Sequence, residues 1–214
     1  MSNLNDNIIR AMNIILNRAG SRHRAMTHPL HASFILQKTK NIDKYVECGV
    51  AKGGVCALVA LNNPNAKIYA LDAWRGMPKI SSNDEQHLKS WEGVTAPYGN
   101  EKSVIQSFNM INAPMKNLNI IKGWVEDTIP KNIERLKDID FLRIDVDWHD
   151  PVLFVLENLY FNVKKGGIVL IDDGRYKGCR TAVESFRKKH NITNTIYKGE
   201  KYGCAEGEEF WWVV

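Results

Sequence analysis

The stretch Tyr45-Val46-Glu47-Cys48-Gly49-Val50-Ala51-Lys52-Gly53-Gly54 decides the fold. Its first part is a short run of aromatic and β-branched residues, which predicts a buried strand over 45–48. The glycines that follow let the backbone turn tightly and expose amide groups, and an apolar helical pattern over 54–61 comes next. A strand, a glycine-rich turn and a helix in this order indicate an α/β unit that holds a ligand at the carboxyl end of the strand.

Strands and helices alternate along the rest of the chain. Four further strands are predicted, over 67–71, 118–122, 141–145 and 168–171. Four further helices accompany them, over 102–111, 130–137, 151–163 and 179–190. This alternation predicts right-handed crossovers and a mostly parallel sheet with helices on both faces. Two final runs, 193–197 and 210–214, have no helix between them, so we expect an antiparallel hairpin that completes a seven-stranded sheet with its last strand reversed.

Composition excludes several classes of protein. The chain has 214 residues, of which 44% are hydrophobic and 25% charged, and this is typical of one globular body rather than a fibrous or disordered chain. The sequence lacks both an apolar run of the ~20 residues that a membrane helix needs and a secretory signal, so we expect a soluble, cytoplasmic protein. The four cysteines lack zinc-ligand spacing, which favours free thiols.

Basic charge is concentrated in 164–190, which holds 8 Lys or Arg and 3 Asp or Glu. Such a stretch can bind phosphate-bearing partners. Its apolar spacing is more typical of a helix with one solvated face, so we do not expect a nucleic-acid partner.

The N-terminal region is predicted to add a helical segment to the sheet. Apolar residues recur at helical spacing over 8–19, and Asn5 or Asp6 is placed to cap the helix. We therefore expect residues 1–40 to form a lid or packing segment and residues 41–214 to form the main domain.

Two further segments carry weaker signals. The irregular stretch 77–100 is long for a loop without secondary structure, and we interpret it as a substrate lid. His23, His28 and His31 lie close together, but Pro29 interrupts a helix there, so a mobile N-terminal segment is favoured over a metal site.

Residues at the ends of the first two strands are candidates for binding a cofactor. The spacing of Glu47, Gly49 and Gly53 departs from the dinucleotide fingerprint and resembles the first motif of class I S-adenosylmethionine-dependent methyltransferases. The resemblance implies that an acid inside the strand meets the amino group of the methionine moiety. Asp72, at the tip of the second strand, can accept hydrogen bonds from ribose hydroxyls. The alternatives are a turn glycine without a ligand and an aspartate that caps a turn.

The third strand leads into a further group of candidates. Trp124 offers a face for adenine, and Glu126 or Asp127 offers an acceptor for its amino group. Asp127 and Thr128 are interpreted instead as helix N-caps, because Pro130 suits the first turn of a helix.

The densest cluster of charge is acidic. Asp145, Asp147 and Asp150 lie at the end of the fourth strand, and Asp172 and Asp173 end the fifth, so four or five carboxylates are involved. The carboxyl ends of parallel strands meet at one edge of a sheet, and like charges brought together there repel unless a cation compensates them. Because hard oxygen ligands suit Mg²⁺, the sequence predicts a metal site. The alternative is helix capping, which we expect of Asp150 before Pro151.

These motifs occur in a fixed order along 44–214. They are Val46-Glu47-Cys48-Gly49-Val50-x-x-Gly53-Gly54, Asp72-x-x-x-Gly76-Met77-Pro78, Gly123-Trp124-x-x-Asp127-Thr128-Ile129-Pro130, Leu142-Arg143-Ile144-Asp145-Val146-Asp147, Gly166-Gly167-x-x-x-x-Asp172-Asp173 and Gly178-Cys179-Arg180-x-Ala182-Val183. The combination resembles the macrocin and mycinamicin sugar O-methyltransferase family. The resemblance implies a Rossmann-like class I methyltransferase fold of the α/β class.

The resemblance also implies a cofactor and a reaction. Members of the family use S-adenosylmethionine and a divalent cation, usually Mg²⁺, to methylate sugar hydroxyls on small molecules. By position, Glu47, Gly49 and Gly53 fall where the methionine end of the cofactor binds, and Asp72 falls where its ribose binds.

The same comparison of positions assigns the metal ligands. Asp145, Asp172 and Asp173 fall on the metal positions of the family. Transfer of a methyl group to a hydroxyl also needs a proton acceptor, and Asp145 is the first candidate. His149 is a second candidate, because the unperturbed pKa of histidine, ~6.5, fits a base at neutral pH.

The acceptor itself does not follow from the resemblance. The chain departs from the family at Val146, His149, Asp150-Pro151 and Gly174, which are expected to border the acceptor. A sugar or a glycosylated small molecule is expected, and the alternatives are a catechol-type O-methyltransferase and a non-catalytic domain that binds the cofactor. A homo-oligomer is compatible with the sequence.

Overall fold

The computed structural model describes residues 5–16, 29–94, 99–198 and 209–214. The helices in these ranges are α1 Asp6–Ile15, α2 Pro29–Lys38, α3 Gly54–Asn62, α4 Glu101–Met110, α5 Val125–Asn132, α6 His149–Leu159 and α7 Lys177–Lys189. The strands are β1 Lys44–Cys48, β2 Lys67–Asp72, β3 Leu118–Lys122, β4 Ile139–Ile144, β5 Val163–Ile171, β6 Tyr197–Lys198 and β7 Phe210–Val213. Short 3-10 helices occur at Gln86–Trp91 and Tyr160–Asn162.

Over the ranges given above, the strands form one seven-stranded sheet in the order β3-β2-β1-β4-β5-β7-β6. Strands β1 to β5 pair in parallel, whereas β7 runs antiparallel to both β5 and β6. The predicted α/β class, with a mostly parallel sheet and a reversed last strand, is confirmed.

The sheet separates two apolar layers. Side chains alternate along each strand, so Tyr45 of β1 faces one layer and Val46 faces the other. The first layer is covered by α1, α2, α3 and α4, and the second by α5, α6 and α7. The central strands are buried on both faces, which explains why they appear in the sequence as short continuous apolar runs.

The N-terminal helices pack into the first layer. Asn5 caps α1, since its side-chain oxygen accepts the N–H of Ile8 at 2.9 Å, as predicted. The predicted continuation of this helix to residue 19 lies mostly outside the described residues. Helix α2 was not predicted, because Pro29 was interpreted as an interruption; it is instead the first residue of α2, where a missing N–H costs little.

Helix α5 corrects another prediction. It begins at Val125 rather than at 130 and contains Pro130, whose fixed φ suits a helix at the cost of one hydrogen bond. Trp124 occupies the N-cap position, and the Thr128 hydroxyl donates to the Trp124 carbonyl at 2.8 Å. The interpretation of Asp127 and Thr128 as N-caps is therefore wrong.

The final hairpin is shorter than predicted. Strand β6 contains only Tyr197 and Lys198, and residues 193–196 lie exposed before it. An exposed edge has no apolar layer to pack against, so little holds these residues in a longer strand.

The described residues contain no helix long and apolar enough to cross a membrane. Cys48, Cys56 and Cys179 are buried free thiols, and Cys204 lies outside the described residues. The predicted division of the chain at residue 40 stays a prediction.

Candidate active site

A cavity of about 380 Å³ lies at the carboxyl edge of the sheet. The loops after β1, β2, β3, β4 and β5 all contribute to it, because parallel strands end at the same edge. Its lining includes seven of the residues predicted from sequence, namely Gly49, Asp72, Trp124, Glu126, Asp145, Asp172 and Asp173. Glu47, Gly53 and His149 are not part of the lining.

The glycine turn after β1 packs directly against the end of β4. Gly49 has a φ of +86°, and a Cβ atom on it would lie 1.7 Å from the carbonyl oxygen of Asp145. The Asp145 N–H donates to the Cys48 carbonyl at 2.8 Å. Only glycine fits at position 49, so the cavity has bare backbone next to the acidic strand end.

Asp72 organises this turn from the end of β2. One carboxylate oxygen accepts the N–H groups of Val50 and Ala51, both at 2.8 Å, and the other accepts the N–H of Trp74 at 2.7 Å. Burial raises the pKa of Asp72, and the three N–H donors oppose that change. A carboxylate has about four acceptor positions, so about one remains for a ligand hydroxyl.

Two tryptophans border the same end of the cavity. Trp124 follows Gly123, whose N–H donates to the Asp72 carbonyl at 2.9 Å and ties the third loop to the second. Trp74 donates its indole N–H to the Ala51 carbonyl at 2.8 Å. Glu126, in the first turn of α5, is exposed and lines the cavity beside Trp124.

Arg143 of β4 is a site residue whose role was not predicted from the sequence. Its side chain is 1% exposed, and one guanidinium nitrogen lies 2.6 Å from Glu47 and 2.7 Å from Asp145. The other terminal nitrogen lies 2.7 Å from Asp172. The signal was present, because an arginine inside the buried run Phe141-Leu142-Arg143-Ile144 requires acidic partners.

Glu47 lies behind the cavity and not in it. Its side chain is 1% exposed, and besides Arg143 it accepts the Tyr45 hydroxyl at 3.0 Å and the Cys56 thiol at 2.9 Å. Burial raises the pKa of Glu47, and Arg143 opposes that change. A direct contact between Glu47 and a cofactor stays a prediction, and in this structure Glu47 anchors Arg143.

The acidic residues converge as predicted. Asp145, Asp172 and Asp173 each offer an oxygen atom, and these atoms lie within 4.8 Å of one another. Burial, followed by the charges of Asp172 and Asp173, raises the pKa of Asp145, while Arg143 opposes this. Burial works in the same direction on Asp172, but the charges of Arg143 and His31, together with hydrogen bonds from Arg143 and Asp145, lower the pKa of that carboxyl overall.

The trio fits a divalent cation. Asp173 has a buried carboxylate oxygen with no hydrogen-bond partner in the described part of the chain. Asp147, two residues beyond Asp145, adds a further carboxylate whose pKa is raised by burial and by Asp145. Arg143 supplies one positive charge to Glu47, Asp145 and Asp172 together, so negative charge remains in excess, and carboxylate oxygens are ligands that Mg²⁺ accepts.

His149 is not a lining residue, although Trp148 before it and Pro151 after it line the cavity. It is the first residue of α6 and 6% exposed, and its Nδ1 atom lies 2.7 Å from Asp150. Asp150 was predicted to cap α6, and this is wrong because Trp148 occupies the N-cap position. The role of His149 as a base stays a prediction that this placement does not favour.

His31 supports the trio from α2. Its Nδ1 atom lies 2.7 Å from Glu209 and 3.4 Å from Asp172, and its side chain is 6% exposed. The interpretation of His31 as part of a mobile segment is therefore wrong. This contact was not predictable from local sequence patterns, because His31 and Glu209 are 178 positions apart in the chain.

The sheet order, the reversed last strand and the cavity at the carboxyl edge together define the class I methyltransferase fold. The solved structure of the O-methyltransferase NovP has this fold, with a TM-score of 0.79 and 19% identity over 96% of this chain and 97% of that one. The chain belongs to the macrocin-O-methyltransferase (TylF) family, whose model matches residues 30–205. The family resemblance predicted from the motifs is thus confirmed.

Curated relatives match over part of their length. Mycinamicin III 3''-O-methyltransferase of Micromonospora griseorubida is 29% identical over 169 residues, which are 74% of this chain and 65% of that protein. The 8-demethyl-8-(2,3-dimethoxy-alpha-L-rhamnosyl)-tetracenomycin-C 4'-O-methyltransferase of Streptomyces olivaceus is 26% identical over 159 residues, 71% of this chain and 60% of that protein. The matched region therefore spans less than two thirds of either relative.

Proposed function

We propose that this protein is an S-adenosylmethionine-dependent, divalent-cation-dependent O-methyltransferase that acts on a hydroxyl of a sugar or a glycosylated small molecule. The observation that carries the proposal is the acidic trio, whose oxygen atoms lie within 4.8 Å of one another in the same cavity as the glycine turn. One relative acts on a rhamnosyl compound, which supports a sugar as the acceptor.

The cofactor end of the cavity is the region around Asp72. When bound, S-adenosylmethionine supplies a methyl group on a positively charged sulfur. The bare backbone at Gly49 would let the methionine end approach closely, and Asp72 would accept a ribose hydroxyl. Trp124 and Glu126 would offer a ring face and a hydrogen-bond acceptor to adenine.

The acceptor end is the region around the acidic trio. Asp145, Asp172 and Asp173 would hold Mg²⁺, which when bound supplies a Lewis acid that polarises an oxygen of the acceptor. Asp145 lines the cavity and has a side chain that is 26% exposed, so it is placed to take the hydroxyl proton.

The direct test is a transfer assay on two acceptors. The purified protein is incubated with S-adenosylmethionine, MgCl₂ and either methyl α-L-rhamnopyranoside or catechol, and products are identified by mass spectrometry. We expect a methylated rhamnoside that disappears in chelator. A product from catechol alone would favour the catechol-type reaction, and cofactor binding without any product would indicate a non-catalytic domain.

Glu126 and Asp127 form a matched pair for testing the cofactor end. Both are exposed acids in the first turn of α5, but only Glu126 lines the cavity. Replacing Glu126 by Gln should weaken S-adenosylhomocysteine binding about fivefold, the scale of one hydrogen bond, whereas Asp127→Asn should leave it unchanged. Isothermal titration calorimetry measures both affinities, and equal effects would contradict this placement of adenine.

Other expectations are part of the proposal and stay predictions. A cytoplasmic location and a homo-oligomer are among them, as is the absence of a nucleic-acid partner. In support of the last, two lysines of the basic stretch already pair with acids, Lys164 with Asp140 at 3.0 Å and Lys189 with Glu157 at 3.0 Å.

A further inference from the structure

Residues 77–92 form a closed loop that makes one wall of the cavity. Met77 pairs with Glu92, and the N–H of Gly93 donates to the Met77 carbonyl at 2.9 Å, so the two ends of the loop meet. Met77, Pro78 and Trp91 line the cavity. We call these residues, 77–92, the acceptor wall. It contains a short helix and is therefore more regular than the lid predicted over 77–100, of which residues 95–98 lie outside the described residues.

Asp84 joins the acceptor wall to α6. One of its carboxylate oxygens accepts the N–H of His149, the first residue of α6, at 2.8 Å. Its other oxygen accepts the N–H and the hydroxyl of Ser81 at 2.8 and 2.9 Å, and the residue is 5% exposed. Trp148, at the N-cap position of α6, makes no capping bond with its own side chain.

Glu85 joins the acceptor wall to α7 in the same way. Its carboxylate accepts the N–H of Lys177, the first residue of α7, at 2.7 Å. Tyr176, at the N-cap position, makes no capping bond with its own side chain. A carboxylate at a helix N-terminus is favourable because it meets unpaired N–H groups and the positive end of the helix dipole.

The two capped helices follow the strands that carry the acidic trio. Helix α6 begins at His149, four residues after Asp145, and α7 begins at Lys177, four residues after Asp173. A third contact, from the Trp148 indole N–H to the Pro78 carbonyl at 3.0 Å, joins the wall to the same region. The wall is thus fixed to the two loops that hold the trio.

We propose that Asp84 and Glu85 are positioning residues that cap α6 and α7 from outside and so fix the acceptor wall relative to the acidic trio. The inference rests on the proposed function, since it assigns to the wall the selection of the acceptor sugar. The wall sets the space between Trp91 and the trio, and hence which sugar hydroxyl reaches Asp145.

Gly178 offers a test that leaves both acids in place. A Cβ atom on Gly178 would lie 2.0 Å from the carboxylate of Asp84, so in Gly178→Ala the Asp84 carboxylate and the start of α7 cannot both keep their positions and the contact between them is disrupted. Alanine is a better helix former than glycine, so α7 itself gains helix propensity. Faster cleavage or a higher KM in Gly178→Ala therefore reports the disrupted contact with the wall and not a weakened helix. Asp84→Ala provides the second variant. Thermal melting confirms that each variant is folded.

The first measurement is limited trypsin digestion, which needs no turnover. Lys79 and Lys89 are exposed on the wall and become better substrates when the wall leaves its docked position. We expect cleavage at these sites to be about tenfold faster in Gly178→Ala and Asp84→Ala. Asp140→Asn is the control, since Asp140 also accepts two backbone N–H groups, at 2.8 Å each, but at the opposite edge of the sheet.

The second measurement is the KM for methyl α-L-rhamnopyranoside and the affinity for S-adenosylhomocysteine. The KM should rise about tenfold in both variants, with the S-adenosylhomocysteine affinity changed less than about twofold. Unchanged cleavage in Gly178→Ala, or faster cleavage with an unchanged KM, overturns the proposal. A wild-type protein without methyl transfer overturns the proposed function instead, and the digestion then still decides whether the two acids dock the wall.

Discussion

Replacing Asp172 by alanine is expected to abolish divalent-cation binding and methyl transfer while leaving S-adenosylhomocysteine binding measurable. Asp172 shares the acidic trio with Asp145 and Asp173, so its loss removes one of three ligands. A bound cation contributes several kcal/mol to a reaction of this kind, and each ~1.4 kcal/mol is tenfold in rate. We therefore expect the transfer rate to fall about a thousandfold or more.

Manganese binding followed by electron paramagnetic resonance measures the cation site directly. Asp172→Asn is the conservative variant, because an amide oxygen can still accept from Arg143 but is a poorer cation ligand. Asp150→Ala is the control, since Asp150 is an exposed acid outside the cavity lining. Full transfer by the wild-type protein in excess chelator would remove the metal from the proposed function.

Replacing Arg143 by methionine is expected to lower the free energy of unfolding by about 3–5 kcal/mol, the cost of breaking a buried ion pair on one side. The guanidinium lies within 2.7 Å of Glu47, Asp145 and Asp172, and its removal leaves buried carboxylates without a counter-charge. Arg143→Lys should recover only part of the loss, because a single ammonium group cannot reproduce the planar fork.

The decrease in the free energy of unfolding caused by Arg143→Met should depend on pH. Burial raises the pKa of Glu47, and without Arg143 only the hydrogen bonds from Cys56 and Tyr45 still oppose the effect, so the pKa rises further. A carboxyl whose pKa is higher in the folded chain than in the unfolded chain loses its stabilising contribution as pH rises through the folded value. Urea unfolding should therefore show that Arg143→Met lowers the free energy of unfolding less at about pH 5 than at about pH 8. Arg135→Met, an exposed change, should stay within about 0.5 kcal/mol at both.

The sequence predicted the central sheet well because its strands are buried on both faces. Runs such as 45–48 and 67–71 are mostly apolar and are followed by turn residues. Both the apolar run and the turn after it therefore indicate where each strand lies. Strand β5 was predicted over 168–171 but begins at Val163. Its first half was missed because it contains Lys164, Lys165 and two glycines, which are not typical of a buried strand.

The acidic trio was predictable because strand ends share an edge, whereas the contacts behind it were not. Arg143 and Glu47 are far apart in the chain and become partners only through the pairing of β1 with β4. His31, near one end of the chain, contacts both Asp172 and Glu209, which lies near the other end. Local patterns identify which residues lie at the edge of the sheet. The hydrogen-bond partners of those residues come from other helices and strands and do not follow from local patterns.

Helix ends capped from a distant segment have a consequence for engineering. Exchange of the acceptor wall between relatives moves Asp84 and Glu85 but leaves their receiving sites, at His149 and at Lys177 with the neighbouring Gly178, in the host protein. A chimera whose host carries a larger residue at position 178 has no room for the carboxylate of the grafted segment. Such exchanges need a small residue at 178 to be transplanted together with the loop.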